Sequence, residues 1–498
     1  MNFSKSKYCA YWQCPKMAWL KQYKPELCEL DSSAQARLKT GNEVGDLAME
    51  LFGNYTEVTA FKEDGSLDLS AMISKTEELL QKGEENICEA SFSYNGLYCA
   101  VDILRKEGGG YAIYEVKSST KLNAVYLADI AYQKYVLQKC GVSVTGAYLV
   151  HINADYLFDG AIDLNKLFET EDVSALLREE EAGVEARLKE AEAVMDGEEE
   201  PQRGLGLYCA KPYDCGFWKY CTRDLPERNV FDIYRLSFEK KLELYEAGVV
   251  SYDDLFKYGK LDNPIRRRQV EYALSEKGVY IEKENIRAFL QTLYYPLYFL
   301  DFETMQPVIP QFPRSHPYDQ IPFQYSLHYI EREGGELKHK EFLGVSGEDP
   351  RRALAQRLVD DVPRNACVLA YNKAFECTRI KELSELFPDL ANALTDIRLH
   401  IVDLLVPFQK GYYYNRAMGG SFSIKSVLPA LFPDDPALNY HNLEGVHNGG
   451  EAMTVFPEIK DMPPEEAEAA RRNLLKYCEL DTLALVKLWQ KLNEDSTA

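Results

Sequence analysis

Apolar and polar side chains alternate between Leu97 and Leu104, which predicts a strand, and one acid, Asp102, sits among its apolar neighbours. Gly108, Gly109 and Gly110 then predict a reversal, and Tyr111–Lys117 the returning strand. Glu115 and Lys117 are two residues apart and therefore project from one face of it. After this the period changes. Ala128, Ala131, Tyr132, Tyr135 and Val136 form a helical apolar face, with Asp129 and Gln133 on its flank. Upstream, helical patterning covers residues 1–30, 38–52 and 68–82, and Gly41 and Gly45 are expected to let another backbone approach closely. Downstream, 147–152 reads as a buried strand and 163–200 as one long acidic helix with a solvated charged face.

The second half opens on the segment YFLDFET, residues 298–304. Asp301 and Glu303 share one face of this very apolar strand, while Leu300 and Phe302 point the other way. Burying two acids in such a strand is costly unless metal or hydrogen bonds compensate. Residues 323–330 and 337–343, joined through Gly334 and Gly335, predict a hairpin. A buried strand at 366–371 runs into Asn372–Glu376 and a helix, and 401–405 carries Asp403. In the last helix, 467–492, Tyr477 and Asp481 are four apart and share a face. Between the halves, 226–290 reads as a helical connector. It holds a short helix ending at Gly248, and Arg266, Arg267 and Arg268 as solvated linker charge.

Length, charge and cysteine content change this picture in three ways. A chain of 498 residues exceeds one ordinary core, so two or three domains are expected. A net charge of −22 argues against a surface coated for duplex binding. It leaves room for a local groove where divalent ions neutralise carboxylates and hold a phosphodiester. No signal-peptide core and no apolar run of about 18 residues is present, so a cytoplasmic protein without a membrane span is expected. Its twelve cysteines should then be reduced, and clustered ones read as metal ligands. Cys209, Cys215 and Cys221 fall within thirteen residues that Pro212 and Gly216 break into a loop, and Cys14 is the candidate fourth ligand. Four thiolates suit either a [4Fe–4S] cluster or Zn²⁺. Two acids with a lysine, as in Asp102, Glu115 and Lys117, suit phosphodiester hydrolysis assisted by Mg²⁺.

With these residues in order, residues 1–225 resemble the RecB-like branch of the PD-(D/E)XK nucleases, and especially its iron–sulfur members associated with CRISPR systems and helicases. The matches are Cys14, then Asp102, Glu115-Val116-Lys117 and Gln133, then Cys209, Cys215 and Cys221. The resemblance implies an α/β restriction-endonuclease-like domain with Asp102 and Glu115 on Mg²⁺ or Mn²⁺. It further implies Lys117 and Gln133 in the catalytic set and a [4Fe–4S] cluster on the four cysteines. The spacing here is C-x₅-C-x₅-C where relatives have C-x₂-C-x₅-C, and the histidine many relatives carry is absent around Gly41–Gly45.

Residues 291–498 resemble the DnaQ-like DEDD exonucleases of the tyrosine subtype, through Asp301-Phe302-Glu303, Asn372 to Glu376, and Tyr477-x-x-x-Asp481. That resemblance implies an RNase H-like fold, metal ions on Asp301, Glu303, Glu376 and Asp481, and Tyr477 positioning the attacking water. Glu376 stands where the family has aspartate, and Asp403 is either an alternative ligand or a strand-end cap. The whole chain resembles an uncharacterised bacterial family that joins these two modules. The expectation is a two-module metal-dependent nuclease acting on nucleic acid, as single-stranded or end-frayed DNA, in repair or in defence against foreign DNA. A helicase or defence-system protein is the expected partner. The rival expectations are a nucleic-acid-binding scaffold with one or both sites inactive, and a ribonuclease.

Overall fold

The protein was studied as a computed structural model that describes residues 3–29, 32–259, 261–275 and 277–497, excepting the side chains of 32–38. The chain is mixed α/β and divides into two units: Met1–Asp224 with Val308–Tyr318, and Leu225–Pro307 with Asp319–Ala498. Among the described residues no helix is long and apolar enough to cross a membrane.

The first unit is built on one seven-stranded sheet. Its strands are β1 (Phe3–Ser4), β2 (Thr56–Glu57), β3 (Asn86–Tyr94), β4 (Leu97–Glu107), β5 (Gly110–Lys117), β6 (Val144–Ile152) and β7 (Phe168–Asp172). The order is β2-β3-β4-β5-β6-β7, with β3, β4 and β5 antiparallel and β6 parallel to β5. The glycines at the β4–β5 turn are required. Gly108 and Gly109 have φ of 61° and 80°, and a Cβ on Gly110 would lie 2.3 Å from the Ser143 carbonyl. Strand β5 pairs only with residues 103–107 of β4, so β1 occupies the other end, Phe3 against Leu97 and Ser4 against Tyr98. The helix Ala124–Lys139 crosses between β5 and β6 and buries Ala128, Ile130, Ala131, Tyr132, Val136 and Leu137.

Three expectations for this unit need correction, and one strand had no expectation behind it. Residues 163–200 are not one helix: a short turn of helix leads into β7, and the long helix spans only Arg178–Met195. The Phe168–Asp172 segment is acidic, yet pairing with β6 overrides its helical preference, and its acids face solvent at the sheet edge. Strand β3 was not anticipated, because it is buried along most of its length and lacks a clean alternation. A Cβ on Gly41 or Gly45 would meet nothing within 4 Å, so neither glycine serves close packing. Finally, the expected helix over 1–30 is two helices, Lys5–Gln13 and Pro15–Tyr23, with Cys14 extended between them (Met1, Asn2 and Leu30 lie outside the described residues). Pro15 at the first helical position ends one helix and starts the next.

The second unit holds a two-stranded sheet of β8 (Val279–Ile281) and β14 (Tyr413–Asn415), and a five-stranded one. The latter comprises β9 (Leu297–Met305), β10 (Ile321–Ile330), β11 (Lys338–Leu343), β12 (Cys367–Ala370) and β13 (Ile401–Asp403) in the order β11-β10-β9-β12-β13. The first three are antiparallel neighbours, and β12 and β13 run parallel to β9. Tyr298, Leu300 and Phe302 pack on one face against Leu354, Leu358, Ile380 and Leu383, as the alternation required. The opposite face receives the C-terminal helix, Pro464–Thr497, where Gln324 donates to the Leu474 carbonyl at 2.9 Å. Residues 230–270 form a small helical core of Val230, Ile233, Tyr252, Leu255 and Val270 within this unit. Of the three connector arginines, Arg267 is exposed as expected, whereas Arg266 and Arg268 are half-buried, and all three are tied to carbonyls. Arg266 donates to the carbonyls of Tyr234 and Arg235, Arg267 to that of Leu261, and Arg268 to that of Gly411 while lying 3.5 Å from the Tyr280 ring centre.

Candidate active sites

In the second unit, β9 sets Asp301 and Glu303 side by side on the face that the C-terminal helix covers. That helix contributes Tyr477, Cys478 and Asp481. Ligand atoms of Asp301, Glu303 and Cys478 lie within 4.8 Å of one another, and the Cys478 thiol donates to the Asp301 carbonyl. Glu376 comes from the helix Ala374–Leu386 that follows β12. It is 2% exposed, and its Oε2 has no hydrogen-bond partner among the described residues. Burial, and then Asp481, Glu303 and Glu376, hold the Asp301 carboxyl well above its ordinary range. Burial and Asp481 do the same for Glu303. Glu376 is pushed up to about 8 by burial and then by Asp403. Asp481 is raised only to about 6, because its burial is offset by hydrogen bonds from Tyr440 and Tyr477 and by the Lys425 charge. Three buried carboxyls and the half-buried Asp301, facing so little positive charge, are the arrangement that divalent cations relieve.

Asp403 is a cap. One of its oxygens accepts from the backbone N–H groups of Asn372 at 2.9 Å and Leu405 at 3.0 Å, which holds Asn372 in a left-handed turn with φ of 63°. Tyr440 was not anticipated from the sequence. Its hydroxyl donates to Asp481 Oδ1 at 2.6 Å, and its ring lies 5.9 Å from that of Tyr477. Beside it opens a cleft of about 900 Å³ whose lining includes Lys425, Tyr440, His447 and Asn448.

In the first unit the expected residues also converge. Asp102 on β4 accepts from the Val116 N–H at 2.7 Å, and Gln133 donates to Glu115 at 2.7 Å and to Asp129 at 2.8 Å. Lys117 reaches both Glu115 and Asp129. Three members were missed. Lys5, delivered by β1 to the vacant end of β4, places its ammonium 3.5 Å from Asp102 and 3.2 Å from Glu115. Glu89 sits between the paired positions Cys88 and Ala90 of β3, with φ of 55°. Burial, then Asp102, pushes its carboxyl up to about 7. Asp129, visible on the helix flank but given no role, is held low against its burial by Lys117 and Lys5. Glu115, fully buried, is raised to about 7 by burial and then by Asp102 and Asp129. Four carboxyls thus face two ammoniums, an excess that one divalent ion would balance.

Cys14, Cys209, Cys215 and Cys221 line one small cavity together with Lys16, Arg203 and Phe217. The N-terminal helices clasp the loop: Gln13 donates to the carbonyls of Tyr208 and Tyr213, and the Glu29 N–H donates to Gly216. Burial raises the thiols of Cys209 and Cys221, and that of Cys215 to about 11. A bound metal would reverse that by stabilising thiolates.

Glu200 closes the clasp, with Lys16 at 2.8 Å, Lys24 at 3.3 Å and the Tyr220 hydroxyl at 2.6 Å. Although burial opposes it, these partners hold the Glu200 carboxyl down to about 2. Their stabilisation is complete above the unfolded value of about 4.3 and is lost as pH falls toward 2. Glu200→Gln is therefore expected to lower the melting temperature by a few degrees at pH 7, about 1 kcal/mol. The gap to the parent should close below pH 3, as read by calorimetry across pH.

A family model described as a domain of unknown function (DUF2779) matches residues 298–423. The match takes in Asp301, Glu303 and Glu376, and ends before Tyr440, Tyr477 and Asp481. No curated protein matches the chain.

Proposed function

We propose that this chain is a metal-dependent nuclease whose principal centre is the carboxyl cluster of the second unit. The observation that carries the reading is the convergence of Asp301, Glu303, Glu376 and Asp481 from three elements into one buried site, with Glu376 Oε2 left without a partner. These residues would hold Mg²⁺ or Mn²⁺, and the bound ions would supply an activated water and charge neutralisation at a phosphodiester. Tyr477 and Tyr440 both hydrogen-bond Asp481, so they set its orientation. Tyr477 is also the group that the DEDD resemblance assigns to positioning the nucleophile. Lys425, lining the adjacent cleft, brings positive charge to the scissile end of a strand entering there. The strand order β11-β10-β9-β12-β13 supports an RNase H-like fold, and the single divalent charge that would balance the Asp102–Glu115 cluster supports a PD-(D/E)XK centre in the first unit.

The test uses end-labelled single-stranded DNA and matched RNA with Mg²⁺ or Mn²⁺, on the parent, Asp102→Asn and Asp301→Asn chains. Stepwise loss of terminal nucleotides that needs Asp301 supports the reading. Tight binding with no metal-dependent cleavage by any of the three would replace it with a binding scaffold. Preference for the RNA strand would make the enzyme a ribonuclease. Tyr440→Phe removes one charge-assisted hydrogen bond to Asp481 and leaves the ring. It is expected to lower kcat by roughly 10-fold with KM little changed, as steady-state kinetics would read.

A further inference from the structure

Two histidines stand directly opposite each other on the hairpin beside the carboxyl cluster, His328 on β10 and His339 on β11. They lie two residues along β10 from Ser326, the cross-strand partner of Asp301. Their ring centres are 4.6 Å apart. Glu479 approaches them from the C-terminal helix, and one ligand atom from each of the three lies within 4.8 Å of the others.

Hydroxyls engage one nitrogen of each ring. Thr482 Oγ1 lies 2.8 Å from His328 Nδ1 and 2.7 Å from the Ser326 hydroxyl, and is 3.1 Å from the Glu479 carbonyl. Ser326 Oγ lies 2.8 Å from His339 Nε2. The other two nitrogens, His328 Nε2 and His339 Nδ1, have no hydrogen-bond partner among the described residues. An outer layer that engages one nitrogen of each histidine and leaves the other bare is how metal-binding imidazoles are held.

We propose that His328, His339 and Glu479 bind one divalent transition-metal ion of the zinc type and so fasten the C-terminal helix to the β10–β11 hairpin. Two imidazoles and a carboxylate suit zinc and its neighbours, whereas Mg²⁺ prefers all-oxygen surroundings. Glu341, cross-strand from Ser326, lies two residues along β11 from His339. The site does not depend on the nuclease reading, because none of its three ligands belongs to the Asp301 cluster.

The experiment is Zn²⁺ titration by calorimetry, with metal analysis after dialysis, on the full chain. The parent is compared with His339→Ala, Glu479→Ala and Asp301→Asn. The parent and Asp301→Asn should each retain one zinc more per chain than His339→Ala. Glu479→Ala should bind it at least ~10-fold more weakly. Zinc should also raise the melting temperature of the parent by several degrees and leave that of His339→Ala unmoved. Glu479 is exposed, so its replacement keeps the fold and decides the matter even where His339→Ala is unstable. Equal zinc affinity and stoichiometry in the parent and Glu479→Ala would overturn the proposal. So would loss of the ion in Asp301→Asn, since the zinc would then belong to the carboxyl cluster.

Discussion

Replacing Asp301 by asparagine is expected to slow metal-dependent release of terminal nucleotides by roughly 10²–10³-fold, the scale for removing one preorganised charge from a reaction centre. The substitution keeps the shape of the side chain and deletes a charge on which Glu303, Glu376 and Asp481 all act. Metal affinity falls with it, so added Mn²⁺ should recover part of the rate. Stability should move in the opposite sense. Without metal the carboxyls repel one another in a buried site, and relieving that repulsion should leave the melting temperature unchanged or higher in chelator. That pairing separates loss of chemistry from loss of fold. A parent-like rate in Asp301→Asn would sink the assignment of this centre, and a fall in both rate and melting temperature would mean that Asp301 is structural.

The second large effect concerns Cys14. Anaerobically purified parent protein is expected to show the broad visible absorption of an iron–sulfur cluster, and Cys14→Ser to lose most of it together with the bound iron. A cluster held by Cys14 together with Cys209, Cys215 and Cys221, which line one cavity, would close a loop of nearly two hundred residues. By the chain-entropy argument for a covalent cross-link, releasing that closure costs on the order of 3–5 kcal/mol. The calorimetric transition of the first unit should therefore move down by many degrees while that of the second stays in place. A colourless parent carrying one zinc per chain would replace the cluster with a zinc site on the same thiols. Unaltered iron and colour in Cys14→Ser would remove Cys14 from the ligand set.

The residues that could be read from the chain are those whose local pattern carries an electrostatic cost. Asp102, Asp301 and Glu303 interrupt apolar strands, and an acid in such a place requires compensation wherever the chain folds. Gly108 to Gly110 mark a turn that only glycine can make, and the cysteine triplet is dense enough to stand out. Local pattern misled in two places, although the acids of 163–200 are largely solvated as expected. The arginines at 266–268 are tied to carbonyls, and the acidic segment at 168–172 is a strand, because a neighbouring backbone supplied partners that no local pattern reveals.

Composition and periodicity by themselves determined a mixed α/β chain, the two acid-bearing strands, the face each acid occupies, and Tyr477 and Asp481 on one helical face. Those features follow from spacing of two or four residues along a regular backbone. Tertiary structure alone decided that Lys5 lies against Asp102, nearly a hundred residues away, because β5 stops short and leaves an end of β4 for β1. It also decided that Tyr440 holds Asp481, that Asp403 caps a turn, and that His328 meets His339 and Glu479. None of these residues has a neighbour in sequence that makes its chemistry visible. Their partners are set by strand register and by how a long helix crosses the sheet, and packing of the whole unit determines both.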